Sequence, residues 1–266
     1  GRSDQLMRPL AALSVEDTNG IDKVVFDLDD TLLSNGKLEE DAYSALFRLR
    51  VAGFTLIAST GRPASFAEVA VRQWPIHAAI AENGGVAFHG LDGPLTKLDT
   101  CPRDTRRERR ARLETFTESL CSEFELQLAD DNHGRITDVA FDIGEHHRVA
   151  PEIVESARNL ARVSGFRTFC SNIHMHLTLD AFDKATGFAA LMSNLQQDPV
   201  RELRRAAFLG DSANDGPAFA AFGLTLGVAN VRKHLAKLTV APRFVSHSPM
   251  GRGFAEIAAR LVELRA

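Results

Sequence analysis

Short apolar runs that alternate with helical segments constrain the fold of this chain more than any other feature. Ile21–Asp27, Phe54–Ser59 and Ile76–Ile80 are rich in apolar residues and too short for helices, so they indicate buried strands. Helical spacing over Glu39–Val51 and a helix start near Pro63 separate these runs. This alternation predicts a parallel sheet with right-handed crossover helices.

The pattern changes in the middle of the chain. Residues 91–102 have a loop-like composition, and Asp104–Glu125 predicts a long, highly charged helix. Arg135–Ile143 alternates like a half-exposed antiparallel strand. A helix over Glu152–Ser164 and strands over Phe166–Ser171 and Ile173–Leu179 are predicted to follow. These elements indicate a small α+β layer inserted into the main domain.

The first pattern then returns. The predicted elements are a helix over Lys184–Leu195, a strand over Ala206–Leu209, a short helix near Asp215, a strand over Leu224–Val228 and a terminal helix over Gly253–Leu264. We therefore expect both ends of the chain to build the main domain.

Size and composition narrow the class of protein. A length of 266 residues favours one main domain with a smaller insertion, and 44% hydrophobic with 25% charged residues is typical of globular proteins. The formal net charge of −4 argues against a nucleic-acid partner. No apolar run approaches the roughly 20 residues of a spanning helix, so we expect no membrane partner. Three cysteines, Cys101, Cys121 and Cys170, match neither a zinc site nor a disulfide framework, which predicts a reducing, cytoplasmic compartment.

Acidic residues follow the first predicted strand at the edge where open parallel sheets bind ligands. Asp27, Asp29 and Asp30 lie within four positions, and like charges this close favour a cation or a shared proton. A single acidic pair would also suit a turn or a helix cap. Asp211 and Asp215 follow another predicted strand in the same way. Because magnesium takes about six oxygen ligands and few of them from carboxylates, we predict a magnesium site between the two strand ends.

Two further positions could contact an anion. Thr60 closes the second strand, and a hydroxyl with free N–H groups at a helix start suits a phosphate oxygen, although such residues are usually caps. Lys184 opens a later helix, where a lone lysine is more often solvated than functional.

The order Asp27, Thr60, Lys184 and Asp211 resembles the haloacid dehalogenase superfamily, from about Ile21 to the end of the chain. Residues 27–32 (DLDDTL) and 210–215 (GDSAND) are similar to its first and last motifs. Residues 60–62 (TGR), residues 82–85 (ENGG) and the place of the insertion resemble the Cof-type members of subfamily IIB. These members include sucrose-phosphate, trehalose-phosphate and mannosylphosphoglycerate phosphatases. Asp30 departs from them, because they usually carry Gly there, whereas other branches carry Asp.

The resemblance implies an α/β fold with a Rossmann-like parallel-sheet core and an inserted α+β cap domain. We expect the core to comprise residues 21–89 and 177–266, and the cap residues 90–176. Residues 1–20 are interpreted as an expression-tag remnant, through Leu6, and an N-terminal lead, with Met7 a plausible natural start.

The resemblance also implies a Mg²⁺-dependent phosphatase that acts on a small phosphorylated metabolite, expected to be a sugar phosphate. Asp27 would be the nucleophile, and Asp29 the general acid and then base. To hold a proton, Asp29 should be desolvated or close to other carboxylates, and further from the metal than Asp27 is. The implied metal ligands are Asp27, the Asp29 backbone carbonyl, Asp211 and, through water, Asp215. The implied phosphate and substrate contacts are Thr60, Lys184, Gly61, Arg62, Glu82, Asn83 and Asn214.

Two sets of cap residues have alternative interpretations. One predicted helix carries six arginines, which we interpret as a solvated helix face. The alternative is that one or two of them bind a second anionic group of the substrate. They are Arg103, Arg106, Arg107, Arg109, Arg110 and Arg112. Four histidines of the cap are expected to be packed or solvated, and the alternative is that they contact the substrate. They are His146, His147, His174 and His176.

Other functions remain open on the sequence. A phosphotransferase or mutase would share the aspartyl-phosphate, and a non-catalytic module would bind a phosphorylated ligand without turnover. The second is disfavoured because Asp27, Asp29 and Asp211 are all present. A dehalogenase, which needs no magnesium site, is disfavoured by the paired acidic motifs, and the oligomeric state stays open.

Overall fold

The computed structural model describes residues 7–90, 94–171 and 173–265. The expected tag remnant, residues 1–6, lies outside these ranges, as do residues 91–93 of the expected loop. In chain order the strands are β1 (Arg8–Pro9), β2 (Lys23–Phe26), β3 (Thr55–Ser59), β4 (Ala78–Ala81), β5 (Val86–His89), β6 (Thr96–Asp99), β7 (Gln127–Leu128), β8 (Asp138–Asp142), β9 (Arg167–Cys170), β10 (His174–Thr178), β11 (Ala206–Gly210), β12 (Leu224–Gly227) and β13 (Phe244–Val245).

Helices connect and cover these strands. The α-helices are α1 (Val15–Thr18), α2 (Glu40–Val51), α3 (Ala64–Gln73), α4 (Arg103–Phe124), α5 (Pro151–Val163), α6 (Lys184–Asn194), α7 (Pro199–Arg204), α8 (Gly216–Ala221) and α9 (Met250–Arg265). Short 3-10 helices lie at Leu10–Ala12, Glu82–Gly84, Asp130–Gly134, Ala213–Asp215 and Ala229–Lys237.

The larger sheet has the strand order β1-β13-β12-β11-β2-β3-β4-β5-β6. All neighbouring strands run parallel from β1 to β4, and β5 and β6 are added antiparallel. The predicted parallel β2-α2-β3-α3-β4 unit is therefore confirmed. Because β2 pairs with both β3 and β11, the residues that follow these three strands meet at one edge of the sheet.

Both faces of this sheet are covered, which explains its apolar strands. Every residue of β2 and β11 is buried. On one face, Phe26 packs against Phe254 of α9 with ring centroids 5.3 Å apart. On the other face, Phe208 contacts Phe219 and Phe222 beside α8. A rigid two-sided core thus holds the strand ends in place.

The smaller sheet is antiparallel, with the order β7-β8-β10-β9. One face, with Val139, Phe141 and Met175, packs into a hydrophobic cluster with α4 and α5. All five residues of β8 are buried, so the prediction of a half-exposed strand is wrong. The reason is that the side chains of the opposite face, such as Asp138, contact polar groups instead of solvent.

The domain boundaries in the structure differ from those that the sequence predicts. Thr96–Asp99 pairs with β5 in the large sheet, although the sequence predicts a loop there and a cap that begins at residue 90. The cap sheet continues to Thr178, beyond the expected boundary at residue 177. At the other end of the chain, β1 pairs with β13 and Met7 is buried in the core. Residues 7–18 therefore belong to the core domain rather than to a separate lead.

Candidate functional site

Three carboxylates meet at the edge where β2 and β11 end. Asp27, Asp211 and Asp215 are buried, and one oxygen of each lies within 4.8 Å of the others. The Asp27 N–H donates to the carbonyl of Leu209 at 2.9 Å, which ties the end of β2 to that of β11. We call these three residues the acidic cluster. It is the only set of this kind found in the part of the chain that the structure describes.

Lys184 reaches this cluster from the first turn of α6. Its helix begins at a capping box, in which the Asp183 carboxylate accepts the N–H groups of Ala185 and Thr186. The Lys184 Nζ donates to Asp27 Oδ1 at 2.7 Å and to Asp215 Oδ1 at 2.6 Å. The lysine side chain is only 2% exposed, so these two carboxylates compensate for the burial of its charge.

Asp215 shapes the loop after β11. Its Oδ2 accepts the N–H groups of Asp211 at 2.8 Å and Ser212 at 3.0 Å. A Cβ at Gly210 would lie 2.5 Å from this oxygen, so only glycine allows the approach. Asp215 therefore orients Asp211 and Lys184.

Asn230 contacts the acidic cluster, and the sequence prediction missed it. Its Nδ2 donates to Asp211 Oδ2 at 2.7 Å and to the backbone carbonyl of Asp30 at 3.0 Å. Its Oδ1 accepts the N–H of Met250 at 3.0 Å. A usable signal existed, because Asn230 also follows a buried strand, β12, at the same edge of the sheet.

Asp30 lies in the left-handed region, with φ +57°. Glycine adopts this region without steric cost, and Asp is among the few other residues that tolerate it. The position where the Cof-type relatives usually carry Gly is thus one where the backbone itself favours Gly.

Burial, followed by mutual repulsion, raises the pKa values of two carboxylates of the acidic cluster. Burial, together with Asp215 and against the opposing charge of Lys184, raises the pKa of Asp27 to about 7. Burial, with Asp215 and Asp27, raises the pKa of Asp211 to about 9. Burial opposes the charge of Lys184, but Asp215 and Asp27 hold its pKa above the usual range. One cation against three carboxylates leaves negative charge that a divalent cation would balance, so this donor set fits magnesium.

The loop after β3 brings Arg62 to Asp29. The Thr60 Oγ1 accepts the N–H of Arg62 at 3.0 Å. The Arg62 guanidinium donates to both carboxylate oxygens of Asp29, at 2.7 and 2.9 Å. The Asp29 side chain is 52% exposed, so the expectation that it would be desolvated is wrong. It is nevertheless outside the acidic cluster, as expected for the residue further from the metal.

Glu82 and Asn83 lie outside the cavity wall, in contrast to the substrate contacts that the sequence predicts. The Glu82 carboxylate accepts the N–H groups of Ala64 at 3.0 Å, Ile136 at 2.9 Å and Thr137 at 2.6 Å. It therefore joins the start of α3 in the core to the segment that leads into β8 in the cap. The buried Asn83 packs beneath Gly61, where an added Cβ would lie 3.1 Å from Asn83 Nδ2.

A cavity of about 660 Å³ opens over the acidic cluster, between core and cap. Its core wall includes Asp27, Asp29, Gly61, Arg62, Lys184, Asp211 and Asn214. Its cap wall includes Asp130, Asp131, Arg135, Glu145, His174 and His176. Thr60 is fully buried beside the wall. Most of the predicted residues are thus brought to one cavity.

A network of charged residues joins cap to core beside this cavity, and sequence reasoning missed it. The Arg135 guanidinium donates to the Gly61 carbonyl at 3.0 Å, to Asp138 at 3.1 Å and to Asp131 at 2.9 and 3.0 Å. His176 Nδ1 lies 2.8 Å from Asp138 Oδ2. We call Arg135, Asp131, Asp138 and His176 the junction network. Although burial opposes it, Arg135 and His176 hold the pKa of Asp138 below its usual range, and burial lowers the pKa of His176.

Two comparisons with known proteins found similarity, one in sequence and one in fold. Residues 24–94 match the sequence model of a family described as haloacid dehalogenase-like hydrolase. This segment is thus similar in sequence to haloacid dehalogenase-like hydrolases. The fold of the whole chain is similar to several solved structures. Because the structures described below are at most 22% identical in sequence, this similarity concerns the fold alone. A comparison with curated protein sequences yields no match.

Three of these structures illustrate the likeness. A Thermoplasma acidophilum protein is 22% identical, with a TM-score of 0.71 over 92% of this chain and 99% of that one. A haloacid dehalogenase-like hydrolase from Bacteroides thetaiotaomicron is 15% identical, with a TM-score of 0.66 over 91% and 99%. A trehalose-6-phosphate phosphatase related protein is 19% identical, with a TM-score of 0.60 over 91% and 97%. The similarity in fold therefore extends over core and cap together.

The six arginines of α4 lie outside the cavity wall, which argues against an anion clamp. Arg106 binds Asp99 at 2.8 Å and Asp180 at 2.6 Å, and so connects the two segments that join cap and core. Arg109 also pairs with Asp180. These arginines hold the base of the cap.

The candidate histidines divide into two pairs. His176 is buried, stacks on Phe169 and lies 2.8 Å from Asp138 Oδ2, as the favoured interpretation of a packed histidine predicts. It also lines the cavity, together with His174. His146 and His147 are exposed and outside the wall. The three cysteines are free thiols. Within the ranges that the structure describes, no helix combines the length and apolar character needed to span a membrane.

Proposed function

We propose that this chain is a magnesium-dependent phosphatase that hydrolyses a small phosphate monoester, specifically a sugar phosphate of the kind that Cof-type members act on. The observation that carries the proposal is the buried Asp27, which Lys184 contacts at 2.7 Å within the acidic cluster at the floor of the cavity. The free thiols are consistent with a cytoplasmic location, which stays part of the proposal.

The first half-reaction transfers the phosphoryl group to Asp27. A carboxylate oxygen of Asp27 attacks phosphorus, the bond to the leaving oxygen breaks, and an aspartyl-phosphate forms. Asp29 enters this step in its protonated form, which the pair with Arg62 disfavours; it gives its proton to the leaving alkoxide and becomes a carboxylate. Because Arg62 binds this carboxylate in a bidentate pair, it stabilises Asp29 in the deprotonated form that the second half-reaction needs.

The second half-reaction hydrolyses the aspartyl-phosphate. Asp29 takes a proton from water, the water oxygen attacks phosphorus, and the bond between phosphorus and Asp27 breaks. Phosphate leaves, and both aspartates return to their starting states. Each turnover therefore consumes one ester and one water and releases one alcohol and one phosphate.

The remaining residues hold the charge of the phosphoryl group. Asp27, Asp211 and the Asp29 backbone carbonyl would hold magnesium. Asp215 would keep Asp211 in place by accepting the backbone N–H of Asp211. Bound magnesium supplies neutralisation of the charge that develops at the phosphoryl oxygens. The Thr60 hydroxyl proton has no acceptor among the described residues, so it can bind a phosphoryl oxygen together with Lys184 and the Asn214 amide.

Replacement of the nucleophile tests this proposal. Asp27→Asn should lower phosphate release from sugar phosphates and from p-nitrophenyl phosphate by at least about 10⁴-fold, because the two-step route needs the carboxylate. Phosphate release with Mg²⁺ and with EDTA measures both the activity and its metal dependence. Acid-quenched wild-type enzyme should carry one phosphoryl group on the Asp27 peptide.

Asp41→Asn, an exposed aspartate of α2, is the matched control and should retain activity. A wild-type rate for the Asp27→Asn enzyme would exclude Asp27 as the nucleophile. Transfer of the phosphoryl group to an added sugar in preference to water would indicate a phosphotransferase.

A further inference from the structure

The cap wall of the cavity exposes hydrogen-bond acceptors above the acidic cluster. Glu145 Oε2 lies 2.7 Å from His174 Nε2, and both side chains line the cavity. This contact leaves the second Glu145 oxygen without a partner among the described residues. The His174 tautomer that donates from Nε2 to Glu145 likewise has its Nδ1 as an acceptor. The pair therefore suits a ligand that brings hydrogen-bond donors.

Glu145 is held on a rigid support. The buried Asp142 carboxylate at the end of β8 accepts four backbone N–H groups of the following loop, those of Gly144, Glu145, His146 and His147, at 2.7 to 3.1 Å. His174 is the first residue of β10, and its backbone N–H donates to Ser171 Oγ at 3.0 Å. A pair fixed in this way can orient a ligand with little loss of conformational entropy.

The charge of the cap wall disfavours a second anionic group. Asp130, Asp131 and Glu145 contribute carboxylates. Arg135 is occupied by Asp131, Asp138 and the Gly61 carbonyl, and the arginines of α4 do not line the cavity. The other lysines and arginines of the wall, Arg62, Lys184 and Lys237, belong to the core side, where the reacting phosphate would bind. A second phosphate under the cap would face carboxylates without a free cation.

We propose that Glu145 and His174 bind hydroxyl groups of the leaving group, and that the enzyme selects monophosphates of neutral polyhydroxy alcohols over esters with a second anionic group. The inference rests on the proposed function and names the substrate class of the same site.

The inference is tested by measuring kcat/KM for four substrates: glucose 6-phosphate, glucosamine 6-phosphate, fructose 1,6-bisphosphate and p-nitrophenyl phosphate. The wild-type enzyme should prefer glucose 6-phosphate to the bisphosphate by about tenfold or more. In Glu145→Ala, the ratio of kcat/KM for glucose 6-phosphate to that for p-nitrophenyl phosphate should fall about tenfold, the range for a lost hydrogen bond to a charged group. His174→Ala should lower the same ratio about threefold, as for a neutral hydrogen bond.

Glu118→Ala, an exposed residue of α4 outside the cavity, is the matched control and should leave all four constants unchanged. An unchanged ratio in the Glu145→Ala enzyme, or a wild-type preference for the bisphosphate, would overturn the inference. A preference for glucosamine 6-phosphate that Glu145→Gln abolishes would overturn it in favour of an ammonium group. Absence of activity on p-nitrophenyl phosphate in the wild type would instead contradict the proposed function.

Discussion

The acidic cluster and the junction network are two groups of buried charges on either side of one cavity, and they differ in their charge balance. In the acidic cluster, three carboxylates face the single ammonium group of Lys184, and the pKa values of Asp27 and Asp211 are raised. In the junction network, the Arg135 guanidinium contacts two carboxylates, and the pKa of Asp138 is lowered.

The difference separates two uses of buried charge. A network in which a cation bridges carboxylates and the hydrogen bonds are satisfied holds parts of the fold together, here cap and core. An unbalanced group at a strand edge is a binding site, because a ligand of the opposite charge can supply the stabilisation that the protein does not. Substitutions in the two groups should therefore have opposite effects on stability.

The largest effect on stability is expected in the junction network. Arg135→Met would leave Asp131 and Asp138 without their cation, and removal of one partner from a buried pair costs about 3–5 kcal/mol in the free energy of unfolding. Urea denaturation at neutral pH measures this loss. Arg107→Met, an exposed arginine of α4 with a pair at 3.8 Å, is the control and should cost less than about 0.5 kcal/mol. Equal stability of the two variants would show that the junction network does not hold the cap.

The acidic cluster should respond in the opposite way. Asp211→Asn removes a repelling carboxylate, so the metal-free protein should be as stable as the wild type or more so. Magnesium at about 100 times its Kd should stabilise the wild type by about 2.7 kcal/mol, and this gain should disappear in the variant. Thermal denaturation with EDTA and with Mg²⁺ measures both. A variant that Mg²⁺ stabilises as much as it does the wild type would exclude Asp211 as a ligand.

The same cluster predicts a pH dependence. The folded pKa values of Asp27 and Asp211, about 7 and about 9, lie above the value of about 4 for unfolded Asp. The folded state therefore binds more protons, and metal-free stability should fall as pH rises from about 5 to about 9. Asp211→Asn should flatten this decline, and Mg²⁺ should suppress it. A melting temperature that rises over this range in EDTA would contradict the raised pKa values.

The smallest effect is expected next to the cluster. Asp30→Gly removes the cost of a left-handed residue, about 1–2 kcal/mol for an ordinary side chain, and adds about 0.5–1 kcal/mol of unfolded-state entropy. It also removes a charge that raises the pKa of Asp211. The net change should be a stabilisation of less than about 1 kcal/mol by urea denaturation. Asp30→Ala should instead lower stability slightly, because Ala adopts the left-handed region less readily than Asp does.

The rule that ligands lie beyond the ends of parallel strands found much of the site. Asp27, Asp211 and Asp215 are brought together as that rule requires, and Lys184 reaches them from the start of α6. The same rule misplaced Glu82, which follows β4 but binds backbone N–H groups of the cap. At β4 the sheet changes to antiparallel strands, so a residue there joins the cap instead of lining the cavity.

Other errors came from weak local signals. The strand Thr96–Asp99 is short and half-exposed, so its pattern resembles a loop. Arg135 contacts the carbonyl of Gly61 across 74 positions of the chain, and no spacing in the sequence indicates such a pair. Asn230 is likewise joined to Asp30 and Asp211 only by the folding of β12 against β11.

The sequence by itself determined the alternation of buried strands and helices, and with it the edge of the sheet where the acidic residues gather. This information is local, because apolar periodicity and the residues at strand ends can be read within one segment. Only the tertiary structure decided which charges are balanced, where the cap begins, and that Glu145 and His174 share the cavity with Asp27. These features depend on contacts between segments that are distant in the chain, which packing sets and local patterns do not record.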